Sequence, residues 1–285
     1  MSRVVRSPTR LVTVGRVTRD ASGHEEVEER ALALAVEAPL EIRVAGETLA
    51  VTMRTPGHDR ELALGFLFAE GILRSIDEVG SIAHCGRTGD PDRENVIDVR
   101  AAAGVVLDVE RTEASRRGTL TTSACGACGR ARIDDLLAAA PPTERARPCT
   151  LAEISGLIET LRTSQPVFAA TGGCHGVALF EPSALAHVAT FEDVGRHNAI
   201  DKLVGARLLA LADAPRDASH ARPLRSGVLV VSGRASFDVV QKALVGGAGA
   251  LIALGAPSSL AVDMAHHAGL PLYGFAKRDA VERYA

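Results

Sequence analysis

Tryptophan is absent from this 285-residue chain, and two tyrosines and seven phenylalanines make up its other aromatic side chains. Platforms that stack successive bases need such rings, so single-stranded nucleic acid is not an expected ligand. A charge excess is also missing: 32 Lys and Arg stand against 35 Asp and Glu, for a formal net charge of -3. That balance supplies no general attraction for nucleic acid or for an anionic membrane. Apolar runs are short; Val228 to Val231 is typical, against the ~20 residues that cross a bilayer. Behind the basic start Met1-Ser2-Arg3-Val4-Val5-Arg6-Ser7-Pro8 there is no apolar stretch, so no secretory signal is expected and a cytoplasmic location is.

What is present is a spread of Leu, Val, Ile and Ala, with 46% hydrophobic residues overall, enough for a substantial core. Five cysteines occur, at 85, 125, 128, 149 and 174. An odd number in a cytoplasmic-type chain argues against a disulfide framework, and small buried hydrophobes are the plain alternative for Cys85, Cys149 and Cys174. Cys125 and Cys128 differ, being spaced C-x-x-C among small and polar residues.

Residues 1 to about 29 read as a mobile or weakly paired arm ending in the charge cluster His24 to Arg30. Alternation at Leu32, Leu34, Val36 and at Leu40, Ile42, Val44 predicts strand, the Ala45-Gly46-Glu47 turn follows, and Leu49, Val51, Met53 return as a second strand. Thr55 followed by Pro56 predicts a helix start, with Leu62, Phe66, Ala69 and Leu73 at helical spacing. Strands around Ile82, from Val96 to Val99 and from Val105 to Val109 complete a small α+β domain over 1–110. Residues 111–130 form a polar stretch without apolar period, expected as a mobile loop carrying the C-x-x-C. A helix near Ile133 stopped by Pro141-Pro142, and another from Leu151 to Leu161, open the region 131–285.

The rest predicts an α/β domain. Strands are expected at Val167 to Ala170, Val177 to Phe180, Val188 to Phe191, Val228 to Val231, Leu251 to Leu254 and Leu272 to Phe275, with helices around Ile200 to Leu211, Phe237 to Leu244 and Leu260 to His267. Alternating strands and helices imply βαβ crossovers and a sheet at least partly parallel.

Ligands of parallel sheets bind outside the carboxyl ends of the strands. Three such ends carry Ser232-Gly233-Arg234-Ala235-Ser236, Gly255-Ala256-Pro257-Ser258 and Phe275-Ala276-Lys277-Arg278. Each alone is ordinary turn chemistry. Together they predict one rim with two arginines and a lysine, suited to a phosphate or pyrophosphate. Beside it, Glu192-Asp193-Val194-Gly195-Arg196-His197-Asn198 precedes a helix. His197 and Asp201 stand four apart, so either Asp201 orients the imidazole or Asp193 merely caps the helix beside a surface ion pair. Thr171-Gly172-Gly173-Cys174-His175-Gly176 reads as a glycine-rich turn between two strands, either a plain hairpin or a pocket wall with Cys174 and His175.

For the C-x-x-C pair, a structural zinc ribbon needs two further ligands at matching spacing, and no second C-x-x-C exists. Zinc deaminases use H-x-E followed by P-C-x-x-C, whereas Ala124 precedes Cys125 and the H-x-E match at His24 lies in the N-terminal arm. No resident metal is expected. A thioredoxin-like dithiol follows a hydrophobic strand and opens a helix, and this pair follows a hydrophilic loop. An accessible dithiol remains, near Arg116, Arg117, Arg130 and Arg132, whose charges favour thiolate.

The stretches RTPGHDRELALGFLFAEGIL (54–73), SACGACGR (123–130), TGGCHGVALF (171–180), FEDVGRHNAIDKLVG (191–205) and VSGRASFDVVQKALVGG (231–247) resemble, in order, the formate dehydrogenase accessory sulfurtransferase family of FdhD type. The resemblance implies a larger C-terminal cytidine-deaminase-like α/β/α domain without zinc chemistry, a smaller N-terminal α+β domain, and a homodimer. It implies sulfur taken as a persulfide from a cysteine desulfurase. The sulfur passes to the molybdenum or tungsten cofactor with two guanine dinucleotides, bound as substrate and required by formate dehydrogenase. Cys125 matches the persulfide-bearing residue, and Cys128 its assisting partner. Phe275, Ala276, Lys277, Arg278, Asp279 and Ala280 match the cofactor-binding stretch; Ser232, Gly233 and Arg234 of the expected rim, and His197 of the segment beside it, are the further candidates read from the residues themselves. Two other functions fit parts of the pattern. A cofactor-binding chaperone without sulfur transfer shares the rim, and a general thiol-disulfide oxidoreductase shares the dithiol.

Overall fold

The computed structural model describes residues 7–85, 93–107, 109, 144–212 and 222–285. Cys125, Cys128, the expected 111–130 loop and the expected helix near Ile133 with its proline stop lie outside the described residues.

The chain opens on a regular hairpin, not a loose arm. β1 (Thr9–Arg19) pairs antiparallel with β2 (Glu25–Ala35), from Thr9 opposite Ala35 to Arg19 opposite Glu25. The Asp20 carboxylate closes the turn by accepting from the Ser22 and His24 N–H groups and from the Ser22 hydroxyl. The alternation at Leu32 and Leu34 does fall in β2, but most side chains on both faces are exposed, so no such pattern marks β1 or the rest of β2.

A second sheet has the order β4-β3-β6-β5, from β3 (Ala38–Val44), β4 (Glu47–Arg54), β5 (Val79–His84) and β6 (Val96–Ala101). Leu40, Ile42 and Val44 alternate inward as their spacing requires. The strand expected at Val105 to Val109 is absent; Gly104 has φ +78° and the Val105 N–H donates to the Ala102 carbonyl, making a turn. Helix α1 (Asp59–Ala69) starts four residues after the expected Thr55. Tertiary contacts capture Thr55 instead: its N–H donates to Asp193 Oδ2 (3.1 Å) and its hydroxyl accepts from the Val194 N–H (3.2 Å). Arg54, fully buried, holds the new start by donating through Nε and Nη2 to Asp59 at 2.8 and 3.0 Å.

The third sheet is mixed, in the order β12-β11-β10-β9-β7-β8. Its strands are β7 (His175–Phe180), β8 (His187–Asp193), β9 (Val228–Val231), β10 (Ala250–Ala253), β11 (Leu272–Gly274) and β12 (Glu282–Arg283). β9, β10 and β11 are parallel, whereas β7 runs antiparallel to both β8 and β9. Helix α2 (Leu151–Thr163) covers one face, packing Ile154, Leu157, Ile158 and Leu161 against Ala178, Phe180, Val228 and Ile252. The other face meets α4 (Arg196–Leu211), α5 (Phe237–Gly246) and α6 (Ser259–Ala268). The expected strand at Val167 to Ala170 is helix α3 (Pro166–Thr171), with proline in its first turn and the Glu192 carboxylate accepting from the Val167 and Phe168 N–H groups at 2.9 and 2.7 Å. A short β-branched and aromatic run does not separate strand from helix, and here a carboxylate from a neighbouring strand decides.

Helices α1 and α4 cross backbone to backbone. A Cβ built on Gly65 would lie 1.9 Å from the Asp201 carbonyl oxygen, and one on Gly205 1.8 Å from that of Glu61. One apolar core consequently runs from Leu40 and Ile42 through Leu64 and Leu203 to Val231 and Leu251. No helix among the described residues is long and apolar enough to cross a membrane.

Helix α2 begins on a capping box. Thr150 Oγ1 accepts from the Glu153 N–H, and Glu153 accepts from the Thr150 N–H while Arg147 donates to both its oxygens. These donors, Arg147 first, hold the Glu153 carboxyl at about 2. Because the folded value is depressed, its stabilisation is present above the ordinary carboxylate range and is lost as pH falls from 4.5 towards 2. Thermal melting across that window should show wild type losing stability that Glu153→Gln never had. At neutral pH, Thr150→Ala should cost about 1 kcal/mol in urea unfolding.

Candidate functional site at the strand-end rim

The three turns expected to converge do so. Leaving β9, the Gly233 carbonyl accepts from the Gly255 N–H (3.0 Å) and that of Ala235 from the Ser258 N–H (3.0 Å). Beyond β10, the Gly255 carbonyl accepts from the Phe275 N–H (3.1 Å), bringing the end of β11 alongside. On the other flank, Ser232 N–H donates to the Gly176 carbonyl (2.9 Å) and Ser232 Oγ accepts from the Gly176 N–H (2.8 Å). Ser232, Gly233, Arg234 and Phe275, which opens the 275–280 segment, are therefore neighbours at one rim.

Helix starts aim at the same place. α4, α5 and α6 have Gly195, Ser236 and Ser258 at their N-caps, and none of these makes a side-chain capping bond. α4 and α6 have no acidic residue in the first turn, and α4 places Arg196 there. A cation at the positive end of a helix dipole is unfavourable unless an anion joins them. Arg196 Cδ lies 3.8 Å from where a Gly233 Cβ would stand and His175 Nδ1 lies 3.2 Å from it, so both side chains stand close against Gly233. Burial, then the charges of Arg196 and Arg234, lower the His175 pKa, which keeps this imidazole neutral at pH 7.

His197 is buried, with Nε2 3.4 Å from Ser236 Oγ and 3.6 Å from Asp238 Oδ2. The expected His197–Asp201 pair does not form. Asp201 is taken by Lys242 of α5, at 2.6 and 2.8 Å, and burial pushes its carboxyl up to about 6 against the pull of that ammonium. Asp193 is not a surface group either: it is fully buried and accepts from Lys202 at 2.7 Å. The segment 171–176 joins α3 to β7, not two strands. Cys174 turns inward to Thr55 Oγ1 (3.6 Å), and burial raises its pKa, while its neighbour His175 reaches the rim.

In the C-terminal stretch Phe275 is exposed with φ +49°, Ala276 is buried, and Lys277, Asp279 and Ala280 are exposed. Arg278 leans across to Glu159 of α2. In the sequence His175 is one of the two residues read as a pocket wall and Arg196 stands in the segment beside the rim, whereas nothing singles out Asp238. The signal for Arg196 is weak: an arginine at the first position of a helix with no acid beside it.

A model of the FdhD/NarQ family matches residues 35–285. The chain belongs to that family. Among FdhD/NarQ relatives, the sulfur carrier protein FdhD of Anaeromyxobacter dehalogenans (strain 2CP-C) is 51% identical over 253 residues, covering 89% of this chain and 86% of its own. Its namesake in Streptomyces avermitilis is 46% identical over 261 residues, covering 88% and 86%. A crystal structure of a Desulfotalea psychrophila protein, described as a formate dehydrogenase accessory protein, superposes with a TM-score of 0.69 over 96% of each chain at 23% identity, a likeness of fold. The FdhD/NarQ match spans the small sheet, α1 and the whole rim, and it begins at Ala35, the last residue of β2.

Proposed function

We propose that this chain is a sulfur carrier that activates formate dehydrogenase. Cys125 takes sulfane sulfur from a cysteine desulfurase in the cytoplasm and delivers it to a molybdenum or tungsten cofactor with two guanine dinucleotides, bound as substrate at the rim. The observation that supports the cofactor part is the meeting of three uncapped helix starts with Arg196, Arg234 and the neutral His175. That field suits a pyrophosphate. Family membership and the relatives' name support the sulfur part. The reading includes a cytidine-deaminase-like architecture for the larger half and a homodimer.

In the proposed chemistry the Cys125 thiolate attacks the outer sulfur of the desulfurase's cysteine persulfide, forming the Cys125 persulfide while the desulfurase cysteine leaves as a thiolate. The Cys128 thiolate then attacks Cys125 Sγ, forming the Cys125–Cys128 bond and breaking the bond to the sulfane sulfur. That sulfur leaves with the electron pair as sulfide for the metal, and a cellular thiol reduces the disulfide.

Intact mass after incubation with a cysteine desulfurase and free cysteine, without reductant, tests the carrier. Wild type should gain one sulfur and Cys125→Ala none. No gain in wild type, with GDP still bound, would leave a cofactor-binding chaperone as the function. The rim has its own test by calorimetry: Arg234→Ala should weaken GDP binding about tenfold or more, since a charged hydrogen bond contributes roughly 1.5–3 kcal/mol.

A further inference from the structure

Two buried side-chain atoms without a hydrogen-bond partner, Arg196 Nε and Gln165 Nε2, flank the ends of β7 and β9. Arg196 belongs to the phosphate field of the rim. Gln165 lies outside it. This residue is the N-cap of α3, yet its side chain makes no capping bond, and it is only 3% exposed. Its amide lies against Gly176: a Cβ built there would stand 2.4 Å from Gln165 Cδ and Nε2 and 2.8 Å from Oε1. Burying an amide without a partner is unfavourable, and a partner that arrives with a ligand accounts for it.

Alternation along the strands sets which side of the sheet each group occupies. Val177, Leu179 and Val231 join the core beneath α4, whereas Ala178, Phe180 and Val230 meet α2. Gly176 and Ser232 continue the α2 series, and His175 and Gly233 the α4 series. Arg196 and His175 thus stand on one side of the strand ends and the Gln165 amide on the other. Two further groups share the Gln165 side. Ser232 Oγ accepts from the Gly176 N–H (2.8 Å), and its own proton meets no acceptor among the described residues. Glu192 stands opposite Gly176 in the β7–β8 ladder, so its side chain lies on the same face. Its oxygens accept from the Val167 and Phe168 N–H groups, which leaves half of their lone-pair sites open.

We propose that Gln165 is a specificity-determining residue that reads the guanine base of a nucleotide held at the rim. Gln165 Nε2 and the Ser232 hydroxyl donate to the guanine O6, and the Glu192 carboxylate accepts from N1–H and the exocyclic amino group. Adenine carries an amino group in place of O6 and a lone pair at N1, so donors would face a donor and the carboxylate a lone pair. A phosphate does not suit this side, because Glu192 repels it. The pyrophosphate accordingly stays with Arg196 and His175, and the base crosses the ends of β7 and β9. The inference rests on the cofactor part of the proposed function and names the residue that selects the base.

Calorimetry on the full chain with GDP, ADP and inorganic pyrophosphate tests it, using wild type and Gln165→Met, an unbranched side chain of similar length. Wild type should bind GDP at least tenfold more tightly than ADP. Gln165→Met should weaken GDP tenfold or more and leave pyrophosphate unchanged. Its urea-unfolding midpoint should rise, because an apolar group replaces an unpaired amide. A purely structural Gln165 gives the opposite pattern, a lower midpoint with GDP and pyrophosphate weakened alike, and that result overturns the inference. Unchanged GDP affinity in Gln165→Met, or wild type that binds GDP and ADP equally, overturns it as well. Wild type that binds neither GDP nor pyrophosphate overturns the cofactor part of the proposed function and this inference with it.

Discussion

Replacing Cys125 by alanine is expected to leave the protein folded and formate dehydrogenase inactive, at the level of cells lacking this protein altogether. Persulfide chemistry needs a thiolate, and Cys149 and Cys174 are poorly placed to substitute. Burial raises the pKa of Cys174 and of Cys149, so both remain thiols at neutral pH. Cys174 is also enclosed against Thr55. Cys128 has the right neighbourhood in sequence, but in the proposed cycle it is the attacking group that frees the sulfur. Cys128→Ala should accordingly load one sulfur by mass and turn over poorly, a different signature from Cys125→Ala. Formate-dependent dye reduction in cells carrying each variant is the measurement. Full activation by Cys125→Ala would remove the carrier role, and equal loading of both variants would remove the division of labour between the two thiols.

The parts of the fold that the sequence announced are those in which a strand or helix faces one environment throughout. Leu40, Ile42 and Val44 alternate because one face of β3 is core, and Val228 to Val231 is continuous because β9 is buried on both faces. The rim was legible for a related reason: parallel strands align their carboxyl ends, so the turns after β9, β10 and β11 had to meet. Failures came where distant partners decide. The β1–β2 hairpin has no buried face to pattern it. Thr55 resembles a helix cap but is claimed by Asp193, 138 residues away. Helical spacing put His197 and Asp201 on neighbouring turns and said nothing of Lys242, which takes the carboxylate from another helix. The contact between His175 and Gly233 is of the same kind: no local signal records it.

The buried ion pair between Lys202 and Asp193 carries the largest expected stability effect. Lys202 Nζ donates to Asp193 Oδ2 (2.7 Å) and to the carbonyls of Thr55 (2.8 Å) and Glu192 (3.3 Å). Asp193 in turn accepts from the N–H groups of Thr55 and Gly195 and from Asn198 Nδ2. Lys202→Met would leave a buried carboxylate without its counter-charge and remove this donor from the carbonyls of Thr55 and Glu192. Breaking such a pair from one side costs about 3–5 kcal/mol, or a fall in Tm of very roughly 6–20 °C for a chain of this size. Removing both charges is a milder change, because no ion remains to be desolvated, so Asp193→Asn with Lys202→Met should recover part of the loss in urea unfolding. The same network ties the loop before α1 to the turn that presents Arg196 and His197. Lys202→Met should therefore weaken GDP binding at the rim even at temperatures where the protein is fully folded. A single variant as stable as wild type would show that Asp193 does not need Lys202. A large stability loss with unchanged GDP affinity would show that the turn holds its shape without the pair.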